Sequence, residues 1–276
     1  MKIIDLSTTI QHQDRSEIEP TKVEYINHKK GGNLLGLAGC LLADKKFLKK
    51  LKNFFLYISG LKKIKNKDFP EALGLAWERV SVSTHCGTHL DAPYHYGPGT
   101  AARPALRIDQ LALEYFFSDG VRLDFRHKKT GEIISVGDLK QELQKINYLL
   151  KPKDIVLIMT GADKYIHQED YPFCFPSLDT KSVEWLIDKG IKVIGTDTWG
   201  IDRPVNLMIK DFFLKKNNAV LWPIHILGRK REYFQIEKLV GLDEINKPFG
   251  FKVACFPIKI KNASAGWVRA VAIIEE

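Results

Sequence analysis

The sequence predicts a mixed α/β fold in a single domain that covers residues 1–276. In the second half of the chain, apolar segments with the composition of strands alternate with segments of helical character. Neither an internal repeat nor a low-complexity linker marks a domain boundary. The 276 residues, 45% hydrophobic and 27% charged, suffice for one large core. This alternation is typical of a sheet with helices packed against it.

Six segments predict strands, since each is rich in Val, Ile, Leu or Phe. They cover residues 120–125, 154–160, 192–198, 219–225, 251–260 and 267–274. Two helices are predicted between them. Ser135 begins helix 138–149 in the manner of a capping box. Asp179 or Ser177 caps a second helix at 181–188, which ends before a glycine.

Lysines are concentrated in one segment of the chain. The sequence has 42 Lys and Arg against 33 Asp and Glu, a net charge of +9, and residues 45–67 alone contain nine lysines and no acid. The rest of the chain is therefore neutral overall. A nucleic-acid-binding surface over the whole domain is not implied, and we expect no nucleic-acid partner.

The basic segment also has the pattern of an amphipathic helix over residues 47–61. Its apolar residues recur at spacings of 4, 3, 4 and 3, which puts them on one face: Phe47, Leu51, Phe54, Ile58 and Leu61. We interpret the helix as part of an insertion at about residues 38–69 that packs on the active-site side of the body or against a second subunit. Its lysines would then attract an anionic substrate. A helix that binds a membrane surface or an acidic partner has the same pattern, so that alternative stays open.

Several features indicate a cytoplasmic protein. No apolar run reaches the ~18 residues of a membrane-spanning helix. Asp5 interrupts the apolar start, so no signal peptide is recognised. Four cysteines lie far apart, with no C-x-x-C pair: Cys40, Cys86, Cys174 and Cys255. We expect free thiols in a reducing compartment, and neither a disulfide framework nor a cysteine zinc site.

Three of the eight histidines lie close together in the pattern His-x3-His-x-Asp-x3-His. They are His85, His89 and His95, and the carboxylate among them is Asp91. Imidazole nitrogens with a carboxylate are what a catalytic Zn²⁺ takes from a protein, with one position left for water. The same atoms suit Mn²⁺ or Fe²⁺. The pattern predicts a centre of one or two divalent ions, with Zn²⁺ preferred and Mn²⁺ as the alternative.

The spacing of these residues requires the chain to turn. On a helix the aspartate would lie about 120° away from the first two histidines, and on a straight strand about 20 Å from the first. We therefore expect a strand over residues 80–84 to enter a bend at Gly87, with Pro93 keeping the exit extended. Cys86 alternates with His85 and should face away from the site.

The segment from Thr84 to His95 resembles the H-x-G-T-H-x-D-x-P-x-H signature of the cyclase and kynurenine formamidase family of metal hydrolases. Every fixed position of the signature is filled. The resemblance implies that His85, His89 and Asp91 bind metal and that the aspartate bridges to a second ion. It also implies that His95 donates and accepts protons.

A second part of the same family pattern lies far along the chain. The family has a histidine followed twelve residues later by a glutamate, which here correspond to His225 and Glu237 and imply the second half of the metal site. Looser similarity extends over the start Ile-Ile-Asp-Leu-Ser, the stretch Gly-Thr-Asp-Thr-Trp-Gly-Ile-Asp and the end Val-Arg-Ala-Val-Ala-Ile. The resemblance implies a swivelling β/β/α sheet domain in a homodimer or homotetramer.

Three further residues are candidates for supporting roles. Asp197 follows a predicted strand, at the edge where open α/β sheets place their sites, and could orient a ligand histidine through its second nitrogen. The alternative is that it caps the following turn. Arg203 and Arg229 are candidates for binding a substrate carboxylate, with solvated side chains as the alternative.

The resemblance and the histidine cluster together predict hydrolysis of an amide, formamide or lactam C–N bond in a small aromatic or heteroaromatic molecule. A metal-bound hydroxide would attack the carbonyl, and His95 would pass a proton to the leaving group. Two alternatives stay open: a non-hydrolytic cyclase or dehydratase using the same site, and a metal-binding protein without catalysis, attached to a surface through residues 45–67. The presence of His95, which no metal needs, argues against the latter.

Overall fold

The structure, a computed structural model, describes residues 1–275. Its helices are α1 (His28–Leu42), α2 (Phe47–Ile58), α3 (Pro93–Tyr96), α4 (Val136–Lys145), α5 (Thr180–Asp188), α6 (Val205–Lys215) and α7 (Pro223–Leu227). Its strands are β1 (Lys2–Asp5), β2 (Lys22–Ile26), β3 (Trp77–Ser81), β4 (His89–Asp91), β5 (Gly99–Thr100), β6 (Arg103–Pro104), β7 (Phe117–Asp124), β8 (Ile133–Ile134), β9 (Ile155–Met159), β10 (Ser177–Leu178), β11 (Val193–Thr196), β12 (Phe234–Glu237), β13 (Phe251–Ala254), β14 (Ala265–Trp267) and β15 (Val271–Ile274).

A mixed sheet of nine strands forms the centre of the fold, in the order β1-β15-β13-β7-β9-β11-β12-β4-β14. The four inner strands β7, β9, β11 and β12 are parallel. The strands on both sides of them pair antiparallel. The predicted mixed α/β fold is therefore confirmed, and β4 takes its place beside β12 although about 140 residues separate them in sequence.

Strand β9 shows how the sheet divides the core. All five of its residues are buried. Ile155, Leu157 and Met159 contribute to one apolar cluster, whereas Val156 and Ile158 contribute to another. Successive side chains of a strand point to opposite faces, so the sheet is covered on both sides. Each such side chain stabilises the fold by about 1.5–3 kcal/mol when it leaves water.

Three of the six predicted strands match single observed strands closely. The predictions at 120–125, 154–160 and 192–198 correspond to β7, β9 and β11. The strand predicted at 219–225 is wrong. A short 3₁₀ turn and helix α7 occupy this segment. Trp222 has a φ of +46°, which breaks an extended chain, and Pro223 suits the first helical position but cannot donate to a ladder.

The last two predicted strands are shorter or interrupted. The segment 251–260 is extended only to Ala254, and Pro257 removes a ladder donor in its second half. The segment 267–274 contains the end of β14 at Trp267 and the whole of β15, with a break between them. Both predictions located strands correctly but missed where pairing stops.

The two predicted helix starts are confirmed. The Ser135 hydroxyl accepts a hydrogen bond from the Asp138 N–H (3.2 Å), and the Asp138 carboxylate accepts one from the Ser135 N–H (2.8 Å), which is a capping box. Helix α4 begins at Val136 and is shorter than predicted, since Asn147, with a φ of +51°, has left the helical region. Asp179 caps α5 by accepting from the N–H of Ser182.

The described chain forms two compact units. One consists of residues 1–10, 14–20 and 83–275 and contains the nine-stranded sheet; the other consists of 11–13 and 21–82. In the second unit, β2 and β3 form an antiparallel pair, and helices α1 and α2 lie between them in sequence. The predicted basic insertion at about 38–69 lies inside this unit, and its status as an insertion into a single domain stays a prediction.

The predicted amphipathic helix is present as α2, but its apolar stripe is not buried. Four of the five predicted stripe residues are exposed, by 42–78%: Phe47, Leu51, Ile58 and Leu61. The predicted packing of this helix on the active-site side of the body or against a second subunit stays a prediction. None of the described helices is both long enough and apolar enough to cross a bilayer.

We predict that Gly120 in β7 is required by packing. Its partner in β13 is Phe251, and a Cβ at position 120 would lie 2.2 Å from Phe251 Cε2 and 2.7 Å from Val253 Cγ2. Gly120→Ala should lower the free energy of unfolding in urea by about 1–3 kcal/mol, the usual effect of overpacking. Gly137→Ala is the control, because the nearest atom to its Cβ is Ser135 Oγ at 3.5 Å. Equal stability of the two variants would contradict the prediction.

Candidate metal centre

Two neighbouring strands carry four polar side chains of the candidate centre. In the antiparallel pair of β4 and β12, Asp91 lies opposite Gln235 and His89 lies opposite Glu237. Because alternate residues of a strand share a face, these four side chains point to the same side of the sheet. All four are buried. The residues between them enter the core on the other face: Leu90 and Ile236.

The bend predicted at Gly87 is confirmed. Its φ of +63° lies in the left-handed region, which glycine adopts without a Cβ clash. The bend lets His85 return towards the start of β4. Pro93 does not keep the exit extended as predicted. It begins helix α3, since its fixed φ suits the first helical position and its missing N–H is not needed there.

A buried ion pair between Lys238 and Glu17 holds the backbone of the bend at Gly87. Lys238 Nζ lies 2.7 Å from both carboxylate oxygens of Glu17 and donates to the carbonyl of His85 (3.0 Å). Glu17 also accepts from the N–H of Gly87 (2.9 Å). Cys86 lies between these residues and is buried; burial, with the charge of Glu17 added, raises the pKa of its thiol to about 12. The thiol therefore stays protonated at neutral pH.

The two histidines nearest Asp91 each have one ring nitrogen engaged elsewhere. His89 Nδ1 lies 2.8 Å from the carbonyl of Gly87 and donates to it, and His85 Nε2 lies 3.2 Å from Ser264 Oγ. The other nitrogens point to the carboxylate of Asp91: His85 Nδ1 and His89 Nε2 lie 2.9 and 3.4 Å from its Oδ1. Such outer contacts orient imidazoles for metal binding.

His95 lies on α3 at the edge of the same cluster. Its Nε2 is 3.9 Å from Asp91 Oδ2, and its ring centroid is 4.1 Å from that of His85 and 5.3 Å from that of His225. Burial favours the uncharged ring and lowers the pKa of His95 to about 4, against the attraction of Asp91. His95 is therefore a neutral imidazole at neutral pH, beside the ligands and partly open to the cavity.

Helix α7 brings His225 to the two carboxylates. Its Nε2 lies 3.9 Å from Asp91 Oδ2 and 3.8 Å from Glu237 Oε1. Asp202 holds the ring from the other side: its carboxylate accepts from His225 Nδ1 (2.6 Å) and from the backbone N–H groups of Ile224 and His225. A carboxylate behind a ligand histidine fixes its orientation and its proton position.

The contact with the ring of His225 is made by Asp202 and not by Asp197, for which an orienting role and a structural role were both considered. The Asp197 carboxylate is fully buried and accepts hydrogen bonds from the N–H and hydroxyl of Thr160 and from the N–H of Gly161. Burial raises the pKa of Asp197 to about 7. Asp197 fixes the turn after β9, whereas the structural alternative considered for it was to cap the turn that follows it in sequence.

Gln235, like Asp202, is a residue of the centre that sequence reasoning missed. The single hydroxyl hydrogen of Tyr233 is shared between the carbonyl of Ile224 (3.0 Å) and the Oε1 of Gln235 (3.1 Å), and the Nε2 of Gln235 faces the cluster. That nitrogen lies 2.8 Å from Asp91 Oδ2, 2.8 Å from His225 Nε2 and 3.2 Å from Glu237 Oε1. The sequence could have indicated this residue: on a strand, a glutamine two residues before Glu237 lies on the same face of the sheet as Glu237.

The side-chain amide of Gln235 also favours one protonation state of His225. Burial works to lower the pKa of this imidazole, but the hydrogen bond and charge of Asp202, together with the other carboxylates, outweigh it and raise the pKa to about 9. A second proton on Nε2 would, however, meet the amide N–H of Gln235 at 2.8 Å. Since Tyr233 holds that amide in place, the hydrogen bonds fit the neutral ring with its proton on Nδ1.

The atoms of the centre divide into two groups. Asp91 Oδ1, His89 Nε2 and Glu237 Oε2 lie in the first, with His85 nearby, and Asp91 Oδ1 and His89 Nε2 are buried with no hydrogen-bond partner among the described residues. The second group, which contains Asp91 Oδ2, Glu237 Oε1 and His225 Nε2, is bonded by Gln235. By spacing alone, His85, Asp91 and His95 could also hold an ion, as could His89, Asp91 and Glu237.

The two carboxylates of the centre respond differently to burial. Burial favours the neutral form of Asp91, but the charges of His95 and His85, with the imidazole nitrogens close to its oxygens, hold its pKa well below the usual range. Burial and the charge of Asp91 raise the pKa of Glu237. The centre thus concentrates ionisable oxygens at buried positions, where a bound cation would stabilise their charge.

A cavity of about 280 Å³ opens above these residues. The imidazoles and Glu237 form its polar floor, and its walls are mainly aromatic or aliphatic: Ile18, Phe175, Trp199, Val205, Met208 and Trp222. A neighbouring cavity of about 760 Å³ shares His95, Trp222 and His225 with the first. A small planar molecule would thus meet apolar walls on its faces and polar atoms at one edge.

The two candidate arginines lie in different cavities. Arg203 lines the first cavity; its Nη1 donates to Asp211 (2.8 Å), and its Nε is buried without a partner among the described residues. Arg229 lines the second, where its Nε donates to the carbonyl of Tyr96 (2.6 Å). The structure therefore does not bring both arginines to one substrate position.

We predict that Asp202, and not Asp197, controls the ring of His225. In the metal-free protein, Asp202→Asn removes the charged acceptor behind Nδ1, and ¹⁵N NMR of the ring should show that the proton no longer resides mainly on Nδ1. Asp197→Asn is the matched control, because its partners are Thr160 and Gly161; it should leave the His225 signals unchanged. A His225 ring that responds to both variants, or to neither, contradicts the assignment.

Comparison with known proteins places this geometry in a family. The sequence pattern described as "Putative cyclase" matches residues 4–203. A kynurenine formamidase from Erythrobacter litoralis (strain HTCC2594) is 30% identical over 194 residues, 70% of this chain and 74% of the relative. Among solved structures, isatin hydrolase A from Ralstonia solanacearum has a TM-score of 0.71 at 20% identity, over 99% of this chain and 92% of that chain. A potential metal-dependent hydrolase with cyclase activity has a TM-score of 0.60 at 15% identity, over 100% and 98%. The chain therefore belongs to the putative cyclase family.

Proposed function

We propose that this protein is a metal-dependent hydrolase that cleaves an amide, formamide or lactam C–N bond in a small aromatic or heteroaromatic molecule. Its family relatives act on C–N bonds other than peptide bonds, and the chain is an enzyme of that class. The observation that carries the proposal is the pair of buried, unpartnered ligand atoms, His89 Nε2 and Asp91 Oδ1, at the floor of a cavity with apolar walls.

The donor atoms fit a divalent ion. His85 Nδ1, His89 Nε2 and Asp91 Oδ1 converge, while the opposite nitrogen of each ring is engaged by Ser264 or Gly87. Burial of polar atoms without partners is unfavourable, and a cation would satisfy both unpartnered atoms. We propose these three residues as ligands, with Glu237 beside them. Nitrogen and oxygen donors suit Zn²⁺ best and Mn²⁺ as the alternative.

We further propose a single ion per chain. The atoms that a second ion would need, on Asp91, His225 and Glu237, already surround the Gln235 amide. The amide N–H groups donate hydrogen bonds to the atoms that would otherwise bind a second cation. They therefore stabilise the oxygens of Asp91 and Glu237 without a metal. His225 then acts on the substrate side of the centre as a positioned imidazole and not as an essential ligand.

A bound divalent ion would activate a water molecule and stabilise negative charge on the substrate carbonyl oxygen. The remaining chemistry belongs to side chains. His95, neutral at neutral pH, can accept a proton from the attacking water and deliver it to the leaving nitrogen. Hydrolysis then forms one C–O bond, breaks one C–N bond and consumes one water molecule. His95 Nε2 lies 3.9 Å from Asp91 Oδ2, so the ring is next to the proposed metal ligand and within reach of a water bound there.

The walls of the cavity define the proposed substrate. Phe175, Trp199 and Trp222 line the cavity, and we propose that they contact a flat aromatic molecule. We propose that Arg203 binds a polar group of the substrate, since its Nε lacks a partner at the cavity wall. Arg229 has its Nε engaged by Tyr96, so a substrate contact from it would need the neighbouring cavity.

The proposed function is tested by a substrate screen with Zn²⁺- and Mn²⁺-loaded protein. Formyl-anilides, lactams and cyclic imides are incubated, and the released acid or amine is measured. We expect hydrolysis of at least one class, lost on chelation. His95→Ala should keep its bound metal and lower kcat by about 10²–10⁴-fold.

His127→Ala is the control for that variant, because this histidine is exposed and lies outside the cavity. It should keep full activity. Loss of bound metal in His95→Ala would make this residue a ligand and overturn its assignment as a proton carrier. If every substrate class stays intact while the protein binds metal, the hydrolase proposal fails.

Gln235 provides a separate test of the number of ions. Metal analysis of the loaded protein should give about one equivalent per chain, with the amide in place. Gln235→Ala removes the amide and frees Asp91 Oδ2, Glu237 Oε1 and His225 Nε2, so a second equivalent should bind. Asn147→Ala, an exposed amide, is the control. Two equivalents in the unaltered protein would contradict the single-ion proposal without affecting the proposed reaction.

A further inference from the structure

Helix α2 presents an apolar surface to solvent. Five of its large apolar side chains are exposed: Phe47 by 76%, Leu48 by 77%, Leu51 by 42%, Phe55 by 61% and Ile58 by 60%. No residue of this helix is buried. A groove of about 660 Å³ runs along the same side chains. Contiguous apolar surface of this kind is uncommon on soluble monomers and indicates a binding surface.

The exposed apolar residues occupy one continuous arc. At about 100° per residue, the five side chains fall within an arc of about 100° around the helix axis. The other side is anchored within the same unit: the hydroxyl of Tyr57 donates to the carbonyls of Asn33 and Ile64, and Phe54 is partly buried. The helix is therefore held with its apolar arc outward, and rotation to hide the arc would break the Tyr57 contacts.

The charge around this arc has a single sign. The nine lysines of residues 45–67 lie on the helix and directly before and after it: Lys45, Lys46, Lys49, Lys50, Lys52, Lys62, Lys63, Lys65 and Lys67. Among the described residues, Lys49 is paired with Asp44 at 3.2 Å. The rest of the chain is neutral overall. The excess positive charge of the protein is thus concentrated in the segment that also exposes the apolar arc, and the lysines of α2 itself lie beside or behind that arc.

Charge decides which partner can cover this face. A second copy of the chain would bring the same nine lysines against their own image across a two-fold axis, so like charges would meet around the apolar contact. An anionic bilayer matches both properties at once. Its acyl boundary accepts apolar side chains to a depth of about 5–10 Å, and its headgroups are neutralised by the surrounding lysines.

We propose that α2 is a peripheral membrane-binding helix that lies in the interface of a bilayer containing anionic lipids. The apolar arc enters the boundary between headgroups and acyl chains, and the lysines contact lipid phosphates and carboxylates. The binding surface belongs entirely to residues 45–67, so it is independent of the proposed reaction. No covalent step and no membrane-spanning segment is involved.

The test is co-sedimentation of the full chain with vesicles. Phosphatidylcholine vesicles with about 30% phosphatidylserine are compared with vesicles of phosphatidylcholine alone, at low and at high salt. We expect sedimentation with the anionic vesicles at low salt and its loss at high salt, because salt screens the lysines. Lys→Gln replacement at Lys62, Lys63 and Lys65 should weaken binding by about fivefold per lysine, the factor expected for one charge near an anionic surface.

The apolar contribution is tested with a matched pair of double variants. Leu51→Asp with Phe55→Asp should abolish vesicle binding while the variant stays folded, since both side chains are exposed. Phe213→Asp with Leu214→Asp is the control, because these residues of α6 are 61% and 70% exposed and the charge change is the same. The control should bind vesicles like the unaltered protein. Far-UV circular dichroism and thermal melting establish that both variants are folded.

Three results would overturn the proposal. The first is unaltered protein that stays in the supernatant with anionic vesicles at low salt. The second is an α2 variant that binds the vesicles as well as the control does. The third is a change of oligomeric state: analytical ultracentrifugation without lipid would show the unaltered protein as an oligomer and the α2 variant as a monomer. That last result would assign the face to contacts between copies of this chain.

Discussion

The candidate site depends on one buried negative charge, the ionised carboxylate of Asp91. It is fully buried, on a three-residue strand inside the nine-stranded sheet. Its Oδ1 faces His85 and His89, and its Oδ2 faces the amide of Gln235. A buried charge persists only where other groups compensate it. The positions of the surrounding imidazoles and of the amide are therefore consequences of this one negative charge.

The part of the site that local sequence determines could be predicted. The bend at Gly87 follows from the need to bring His85 back to β4, and the φ of +63° confirms it. The contacts that depend on the tertiary fold, such as the one between Asp202 and His225, could not be predicted. Asp197 and Asp202 both lie near the end of a strand in sequence, but only Asp202 reaches the first turn of α7 and so the ring of His225. Sequence spacing does not distinguish them.

The fold shows the same division between local and tertiary information. Continuous apolar composition located β9 and β11, because strands buried on both faces need it. In β7 the signal was weaker, since Val121 and Leu123 alternate with the polar Arg122 and Asp124. The equally apolar segment 219–225 became a turn and a helix, because Trp222 and Pro223 do not fit a ladder. Periodicity placed the apolar residues of α2 on one face but carries no information on whether another surface covers that face.

The cross-strand register of β4 and β12 links the centre to the folding reaction itself. His89 meets Glu237 and Asp91 meets Gln235 only in this register, and a slip by one residue would turn Leu90 or Ile236 towards the polar side. An unfolded chain therefore lacks the site altogether. Any ion that binds there binds the native state alone, so ion binding and folding form one coupled equilibrium. With the proposed ion, the thermal midpoint of this protein would rise with free metal concentration, and chelation would lower the free energy of unfolding.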